Sequence, residues 1–162
     1  MKTILVVGKK KTGKTTWVKN SIEKLPFEKF IFDPNGAYLN QFQGDNIDDF
    51  LKLAYNKKNS VIVIEEATIF FKSSKKQDQL LSLMVRSRHQ NNFLFLCFHS
   101  LRSVPTWCLD LTDAMRLGKT NDTLQVLHKF DGLDKIEEAF KAVNYFSPSN
   151  PYSSYFIDFY KE

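Results

Sequence analysis

The sequence predicts an α/β fold, in which a mostly parallel β-sheet is flanked by helices. Short apolar runs alternate along the chain with segments whose apolar residues recur at helical spacing, which is typical of parallel sheets. The clearest runs are bounded by polar or turn residues, as expected for buried strands, and lie at 4–7, 30–32, 61–64 and 93–98. Helical patterns separate them at 15–25, 46–56 and 76–90. The second observation is a glycine-rich segment that joins the first run to the first helical pattern.

The rest of the chain, after Pro105, has weaker patterns. There we expect a strand at 114–117, a hairpin-like pair of strands around 123–130, a helix at 133–143 and an aromatic strand at 155–160. The sequence has 162 residues, the length of one domain, so we expect a single domain over 1–162.

The composition limits the compartment and the partners. The sequence has 23 Lys and Arg against 18 Asp and Glu, and this net charge of +5 is compatible with nucleic acid. Cys97 and Cys108 lie in apolar surroundings without metal-ligand spacing, so we interpret both as buried thiols of a reducing compartment. The sequence shows neither a signal-like leader nor an apolar stretch of bilayer length. We therefore expect a soluble protein of the cytoplasm, or of cytoplasm and nucleus in a eukaryotic host.

The glycine-rich segment is a complete phosphate-binding loop. Residues 8–15 read Gly-Lys-Lys-Lys-Thr-Gly-Lys-Thr and fit the pattern G-x-x-x-x-G-K-[ST] between a strand and a helix. In such a loop, backbone N–H groups and the positive end of the helix bind phosphates, Lys14 reaches the β and γ oxygens, and the Thr15 hydroxyl ligates Mg²⁺. We therefore predict binding of ATP and Mg²⁺ by Gly8, Lys9, Lys10, Lys11, Thr12, Gly13, Lys14, Thr15 and Thr16.

A pair of carboxylates follows the third apolar run. Glu65 and Glu66 come directly after 61–64, where a buried strand would emerge beside the phosphate loop. One carboxylate can hold the Mg²⁺ shell and the other can orient and polarise the attacking water, as hydrolysis requires. The alternative is an exposed acidic pair that caps the next helix.

A polar residue also ends the fourth apolar run. His99 follows 93–98 directly, where it could sense the γ-phosphate; the alternative is a histidine that closes a core strand. Together with the carboxylate pair, His99 predicts the ASCE type of P-loop domain. In this type, the strand that ends at His99 lies between the strand before the phosphate loop and the strand before the carboxylates.

Two arginines end the third helical pattern. Arg86 and Arg88 are two positions apart, so on a helix they point about 200° apart and cannot serve the same contact. One of them could act as an arginine finger in the site of a neighbouring subunit. The alternative is that both are ordinary solvated arginines.

Several segments together resemble the FtsK–HerA superfamily of DNA-pumping ATPases. They are Asp33-Pro-Asn-Gly-Ala-Tyr38, Ile64-Glu-Glu-Ala67, Arg86-Ser-Arg-His89 and Phe98-His-Ser-Leu-Arg-Ser-Val-Pro105. Within the superfamily the chain is most similar to the small ATPases that package viral genomes, with the ATPase portion of Zot-like phage proteins as a neighbour. The resemblance covers roughly 1–120, and the order and spacing of the segments are more specific than any one of them.

The resemblance implies a role for each matching residue. Lys14 and Thr15 would contact the phosphates and the metal, and Glu65 would stand at the metal position. Glu66 would be the catalytic glutamate and His99 the sensor of the γ-phosphate. Arg88 would be the arginine finger that acts in the site of a neighbouring subunit. Glu65 departs from the usual Asp and His99 from the usual Gln. The longer Glu65 side chain leaves open which of the two carboxylates holds the metal.

The resemblance also implies partners and an assembly. We expect a homo-oligomeric ring, a pentamer or hexamer with ATP at the seams, since a domain of this size has no second lobe to close over the nucleotide. Such a ring would move double-stranded DNA without sequence preference and could meet capsid vertex or portal proteins, in the host cytoplasm or on the virion. Candidate DNA contacts are Lys72, Lys75 and Lys76, with Arg102 as an alternative, and for each of them the other interpretation is a solvated surface charge. If Arg88 is not the finger, then Arg86, Arg102 and Arg116 are next.

Other functions stay open at this point. A nucleoside or nucleotide kinase also uses a phosphate loop, but the sequence has neither the zinc-binding cysteine pairs of thymidine kinases nor an arginine-rich lid. Another P-loop ATPase of phage morphogenesis, Zot-like, commonly has a membrane span, which the sequence lacks. The glutamate pair argues against a protein that binds ATP only as a structural ligand. A GTPase would need an N-K-x-D segment, which 118–122 does not match.

Overall fold

The computed structural model describes residues 2–39, 46–130 and 134–160, with the backbone alone at 71 and 72. Strands and helices alternate along the chain as β1 (Thr3–Val7), α1 (Lys14–Glu23), β2 (Glu28–Phe32), α2 (Ile47–Ala54), β3 (Ser60–Ile64), α3 (Ser74–His89), β4 (Phe93–Phe98), α4 (Thr106–Asp110), β5 (Ala114–Gly118), α5 (Asp134–Phe146) and β6 (Ser154–Asp158). Short 3₁₀ helices lie at Ala67–Lys72, Leu101–Ser103 and Leu124–Phe130.

The described strands form one six-stranded sheet in the order β2-β3-β4-β1-β5-β6. Neighbouring strands from β1 to β5 are parallel, and β6 adds to β5 in the antiparallel sense. The predicted α/β fold is thus confirmed, and so is the predicted position of β4 between β1 and β3. We call the side where β1 to β5 end the carboxyl edge and the side where they begin the amino edge. The phosphate loop, the carboxylate pair and His99 all follow strand ends, so all lie at the carboxyl edge.

Two apolar cores cover the two faces of the sheet. Successive side chains of a strand point to opposite faces, so Leu5 of β1 belongs to the larger core, with α2, α3 and α5, and Val6 belongs to the smaller one. The smaller core is built on α1, which contributes Val18 and Ile22. The strands β1, β3 and β5 are buried along their whole length. This central burial fixes the strand ends from which the functional loops leave.

The helices begin in two different ways. The side-chain oxygen of Asn46 accepts a hydrogen bond from the Asp48 amide at 2.8 Å and caps α2, and Ser73 caps α3 in the same manner. In contrast, α1 follows Gly13, which has a φ of 75° and no side-chain cap. The first-turn N–H groups of α1 are therefore not occupied by a cap, as an anion-binding helix start requires.

The hairpin expected around 123–130 is wrong, because this segment forms the 3₁₀ helix Leu124–Phe130. Leu127 and Phe130 are buried in the larger core. Their spacing of three residues places both on one side of a 3₁₀ helix, whereas in a strand they would face opposite ways. Both edges of β5 are also paired, one with β1 and the other with β6, so β5 has no edge left for a further strand.

The remaining expectations for this half are close to the structure. The expected strands at 114–117 and 155–160 correspond to β5 and β6, and the expected helix corresponds to α5, although its first residue, 133, lies outside the described residues. Both cysteines are free and buried, as predicted. None of the helices in the part of the chain that the structure describes is long and apolar enough to cross a membrane.

Candidate nucleotide site

The phosphate loop is tied to three strand ends at the carboxyl edge. It leaves β1, the Gly8 amide donates to the Phe98 carbonyl of β4 at 3.1 Å, and the Lys9 amide donates to the Lys119 carbonyl after β5 at 2.7 Å. Gly8 cannot be replaced without a shift, because a Cβ at this position would lie 2.6 Å from the Thr12 hydroxyl oxygen. The loop is therefore held in shape by the sheet itself.

Lys14 is the buried cation of the loop. Its side chain is only 8% exposed, and its Nζ donates to the carbonyls of Gly8 at 2.6 Å and Lys9 at 3.0 Å. Burial lowers the pKa of Lys14, while the nearby carboxylates Glu65 and Glu66 act in the opposite direction. An anion in front of the loop would favour the charged form of this amine.

Glu65 lies at the end of β3 and faces inwards towards α1. One carboxylate oxygen accepts a hydrogen bond from the Tyr38 hydroxyl at 2.5 Å, and the other lies 3.4 Å from the Thr15 hydroxyl. Burial raises the pKa of Glu65, although hydrogen bonds from Tyr38 and the Cys97 thiol partly offset it. A cation held by Thr15 and Glu65 would stabilise the ionised carboxylate, and hard oxygen donors of this kind suit Mg²⁺.

Glu66 faces the other way and is held from two sides. His99 Nε2 lies 2.8 Å from one carboxylate oxygen, and the side-chain amide of Asn35 donates to the other at 3.2 Å. With Glu66 ionised, Nε2 of His99 is the donor in this hydrogen bond. The other ring nitrogen of His99, Nδ1, is buried and has no hydrogen-bond partner within the described ranges. The carboxylate is thus oriented by the ends of β2 and β4 together.

These groups surround a cavity of about 490 Å³ in front of the phosphate loop. Its walls bring together most of the residues that the sequence singles out, namely Lys10, Lys11, Gly13, Lys14, Thr15, Thr16, Glu65, Glu66 and His99. Gly8, Lys9 and Thr12 belong to the same loop, and Lys9 and Thr12 line a second cavity of about 980 Å³ beside it. The uncapped start of α1, the buried lysine and the oxygen pair suit a nucleoside triphosphate with Mg²⁺.

A buried arginine supports the phosphate loop. Arg116 on β5 is 4% exposed, and its guanidinium donates to the Thr12 carbonyl at 3.3 Å and lies 5.6 Å from the centre of the Trp17 ring. Burial lowers its pKa. Nε and Nη1 have no hydrogen-bond partner among the residues described. This burial prevents Arg116 from reaching into a neighbouring subunit.

Arg86 and Arg88 lie apart from both cavities. Arg88 is at the amino edge, where it donates to Asp113 at 3.0 Å and to the Tyr160 hydroxyl at 3.2 Å. Arg86 instead donates to the Tyr55 carbonyl at 2.7 Å, so the two arginines have different partners, as their spacing predicts. Arg88 therefore does not contact the nucleotide cavity of its own chain.

The candidate DNA contacts differ in their surroundings. Lys76 forms an ion pair with Asp48, whereas Lys75 and Arg102 are exposed. The side chain of Lys72 lies outside the described residues. Arg102 also lines the larger cavity beside the phosphate loop.

The sequence did not predict Asn35 or Tyr38 in the site, and it indicated Arg116 only as a fallback arginine finger, not as a support of the phosphate loop. Asn35 and Tyr38 lie in a segment that does contribute to the family resemblance, but their contacts reach across about 30 residues to the carboxylates. Arg116 has a detectable signal, since a charged residue stands inside the strand Ala-Met-Arg-Leu-Gly, where burial is expected.

The fold is that of viral packaging NTPases. The genome-packaging NTPase B204 of Sulfolobus turreted icosahedral virus 2, in complex with AMP, superposes with a TM-score of 0.71 at 17% identity, over 97% of this chain and 92% of that one. Its complex with ATP-gammaS gives a TM-score of 0.69 at 17% identity, over 85% of each chain. B204, the DNA-packaging ATPase of Sulfolobus turreted icosahedral virus, gives 0.64 at 17% identity over 85% of each chain. At this identity the likeness shows the fold.

A family match of the sequence also indicates a P-loop ATPase. Comparison with curated protein sequences gave no match. Residues 4–107, which hold the phosphate loop, the carboxylate pair and His99, match the family described as ATPase family associated with various cellular activities (AAA). The match covers more than half of the chain. The chain therefore belongs to the AAA family of P-loop ATPases.

Proposed function

We propose that the chain is an ATP-driven motor that moves double-stranded DNA, and that it packages a viral genome into a preformed capsid. The observation that carries the proposal is Glu66, oriented by Asn35 and His99 beside the phosphate loop. The fold, shared with genome-packaging NTPases, supports it. A glutamate held in this way is suited to activate water, which is what a motor needs and a kinase avoids.

The cavity residues divide the work of hydrolysis. Lys14 and the uncapped start of α1 bind the phosphates, and Thr15 and Glu65 hold Mg²⁺. The metal ion, when bound, neutralises charge on the β- and γ-phosphate oxygens. Glu66 orients and polarises the attacking water, and His99, which holds Glu66 in place, is the proposed sensor of the γ-phosphate.

The proposed active form is a ring, a pentamer or hexamer, with the nucleotide at the seam between subunits. In such a ring, a neighbouring subunit could add a positive charge opposite the γ-phosphate. Arg88 remains the proposed finger. To act in a neighbour's site, it would have to exchange Asp113 of its own chain for the phosphate.

DNA contact in this proposal is electrostatic, because a motor must accept every base that passes. Lys75 and Arg102 are the exposed candidates, whereas Lys76 is already paired with Asp48. The ring would act in the host cytoplasm or on the virion, next to capsid vertex or portal proteins.

The test is ATP hydrolysis with and without linear double-stranded DNA of mixed sequence. We expect DNA to stimulate turnover, and the stimulation to weaken between about 50 and 200 mM salt as phosphate contacts are lost. Lys14→Ala, which removes the cation of the phosphate loop, is the negative control. Hydrolysis that ignores DNA at every salt concentration would contradict the motor, and phosphoryl transfer to a nucleoside would indicate a kinase.

A further inference from the structure

An aromatic side chain, Tyr152, lies over the phosphate loop. The Cδ1 atom of Tyr152 is 3.5 Å from the position that a Cβ on Gly13 would take, so the ring packs directly on this glycine. Tyr152 also lines the 490 Å³ cavity together with Lys14, Thr15 and Thr16. It is nevertheless 64% exposed, so most of the ring faces solvent.

The position of Tyr152 is set by the surrounding backbone. The Asn150 amide donates to the Phe146 carbonyl at the end of α5 at 3.0 Å, and the Asn150 side chain accepts from the Tyr152 amide at 3.0 Å. The preceding residue is Pro151, which restricts the backbone further. Two residues later, β6 begins and pairs with β5. The ring is thus presented by an ordered turn, at low entropic cost for a ligand.

The chemistry of this place indicates what the ring can bind. Lys14 and the N–H groups at the start of α1 take the phosphates of a nucleotide. A nucleoside that leaves the loop past Gly13 and Thr16 would meet the Tyr152 ring. An exposed aromatic ring offers a π-face, on which any nucleobase can stack.

We propose that Tyr152 stacks on the nucleobase of the bound nucleotide and forms the base subsite. The proposal rests on the phosphate loop being the nucleotide site. Because stacking is tolerant of base identity, this subsite contributes affinity rather than strict selection of adenine. The competing explanation is that Tyr152 only covers Gly13 and stabilises the shape of the loop.

The two explanations differ for a ligand that has phosphates and no base. Binding of ATP and of inorganic tripolyphosphate, both with Mg²⁺, is measured by calorimetry for the full chain and for Tyr152→Ala and Tyr152→Phe. We expect Tyr152→Ala to weaken ATP binding about tenfold, the scale of one base–aromatic stack, and to leave tripolyphosphate binding unchanged. Tyr152→Phe keeps the ring and should bind both ligands as the unmodified chain does.

Tyr145→Ala is the matched control, because Tyr145 is 79% exposed on α5 and lines neither cavity near the loop. Equal weakening of ATP and tripolyphosphate in Tyr152→Ala would overturn the base subsite in favour of loop support, and unchanged ATP binding would overturn it outright. Failure of the unmodified chain to bind either ATP or tripolyphosphate would instead count against the nucleotide site itself. The outcomes thus separate the two proposals.

Discussion

Charged side chains gather at both edges of the sheet, and at the amino edge they satisfy one another. There, the Asp113 carboxylate accepts hydrogen bonds from the Thr3 amide at 2.6 Å and from Arg88 at 3.0 Å. At the carboxyl edge, α1 starts without a side-chain cap, and the buried Lys14 is bound to carbonyls of its own loop. Nδ1 of His99 has no partner in the described part of the chain.

The two edges differ in the feature that distinguishes a binding site from a purely structural cluster of charges. Both edges hold buried charge, so charge alone does not identify function. At the amino edge, pairing fixes the start of β1 and β5 relative to α3. At the carboxyl edge, the sheet holds polar side chains in fixed positions around a cavity, and the start of α1 has no side-chain cap, which is how a preorganised binding site differs from a structural network.

The largest expected effect tests whether Arg88 belongs only to the amino edge. As the proposed finger, Arg88 should be worth about 10³–10⁵ in turnover, so Arg88→Ala should lower ATP hydrolysis on that scale. Asp113→Asn is the matched control, because it breaks the same ion pair and keeps the guanidinium. It should cost about 1–3 kcal/mol in the free energy of unfolding and little turnover.

Mixing two inactive variants sharpens this test. A mixed ring of Glu66→Gln and Arg88→Ala subunits contains some seams with both residues intact, so hydrolysis should recover. Equal turnover of Arg88→Ala and Asp113→Asn would confine Arg88 to the amino-edge ion pair, and Arg102, exposed beside the phosphate loop, would be tried next.

The sequence predicts the functional residues at the carboxyl edge better than the residues that hold them in place. The order of β1, β4 and β3, and the convergence of Lys14, Glu66 and His99, follow from local motifs at strand ends. Such motifs are readable because each is contiguous and parallel strands end at one edge. The sequence does not predict the contact of Arg116 with Thr12, which spans 104 positions, because pairwise contacts of this range depend on the completed sheet.

The 3₁₀ helix Leu124–Phe130 shows the other limit of sequence reasoning. Its apolar residues fit a short strand locally, and the absence of a free edge on β5 is a property of the whole sheet. The same holds for the arginine pair on α3. Helical spacing correctly predicts different partners for Arg86 and Arg88, but not that Arg88 pairs with Asp113.

The second effect in size concerns the two glutamates at the carboxyl edge. Glu66→Gln keeps the shape of the side chain but cannot polarise water, so turnover should fall by about 10²–10⁴ while ATP binding persists. Glu65→Gln should instead raise the Mg²⁺ concentration needed for half-maximal turnover, because it removes a charged oxygen ligand. Steady-state rates over a Mg²⁺ titration measure both. If Glu66→Gln kept turnover and Glu65→Gln lost it, the two roles would be reversed.

The smallest expected effect concerns Arg116, which stabilises the phosphate loop but whose buried charge lowers the stability of the fold. Arg116→Met should weaken ATP binding about tenfold, since the loop loses one hydrogen bond from a charged group at Thr12. The same change removes a buried charge whose Nε and Nη1 find no partner among the described residues, so the melting temperature should stay the same or rise. Calorimetry and thermal unfolding measure the two quantities.

The control for this variant comes from the other edge of the sheet. Arg86→Met removes an arginine that stacks on Tyr55 and should leave ATP binding unchanged. A lower melting temperature with normal ATP binding in Arg116→Met would make Arg116 a purely structural residue and would contradict its proposed support of the phosphate loop.

The most direct test of the central claim, that hydrolysis at the carboxyl edge moves DNA, is a triplex-displacement measurement. A motor that moves along duplex DNA strips off a short third strand, and release of a labelled third strand reports movement. The unmodified chain should release it only with ATP and Mg²⁺, and Glu66→Gln should bind the same DNA and release nothing. Sustained ATP hydrolysis on this DNA with no release of the third strand would contradict the claim.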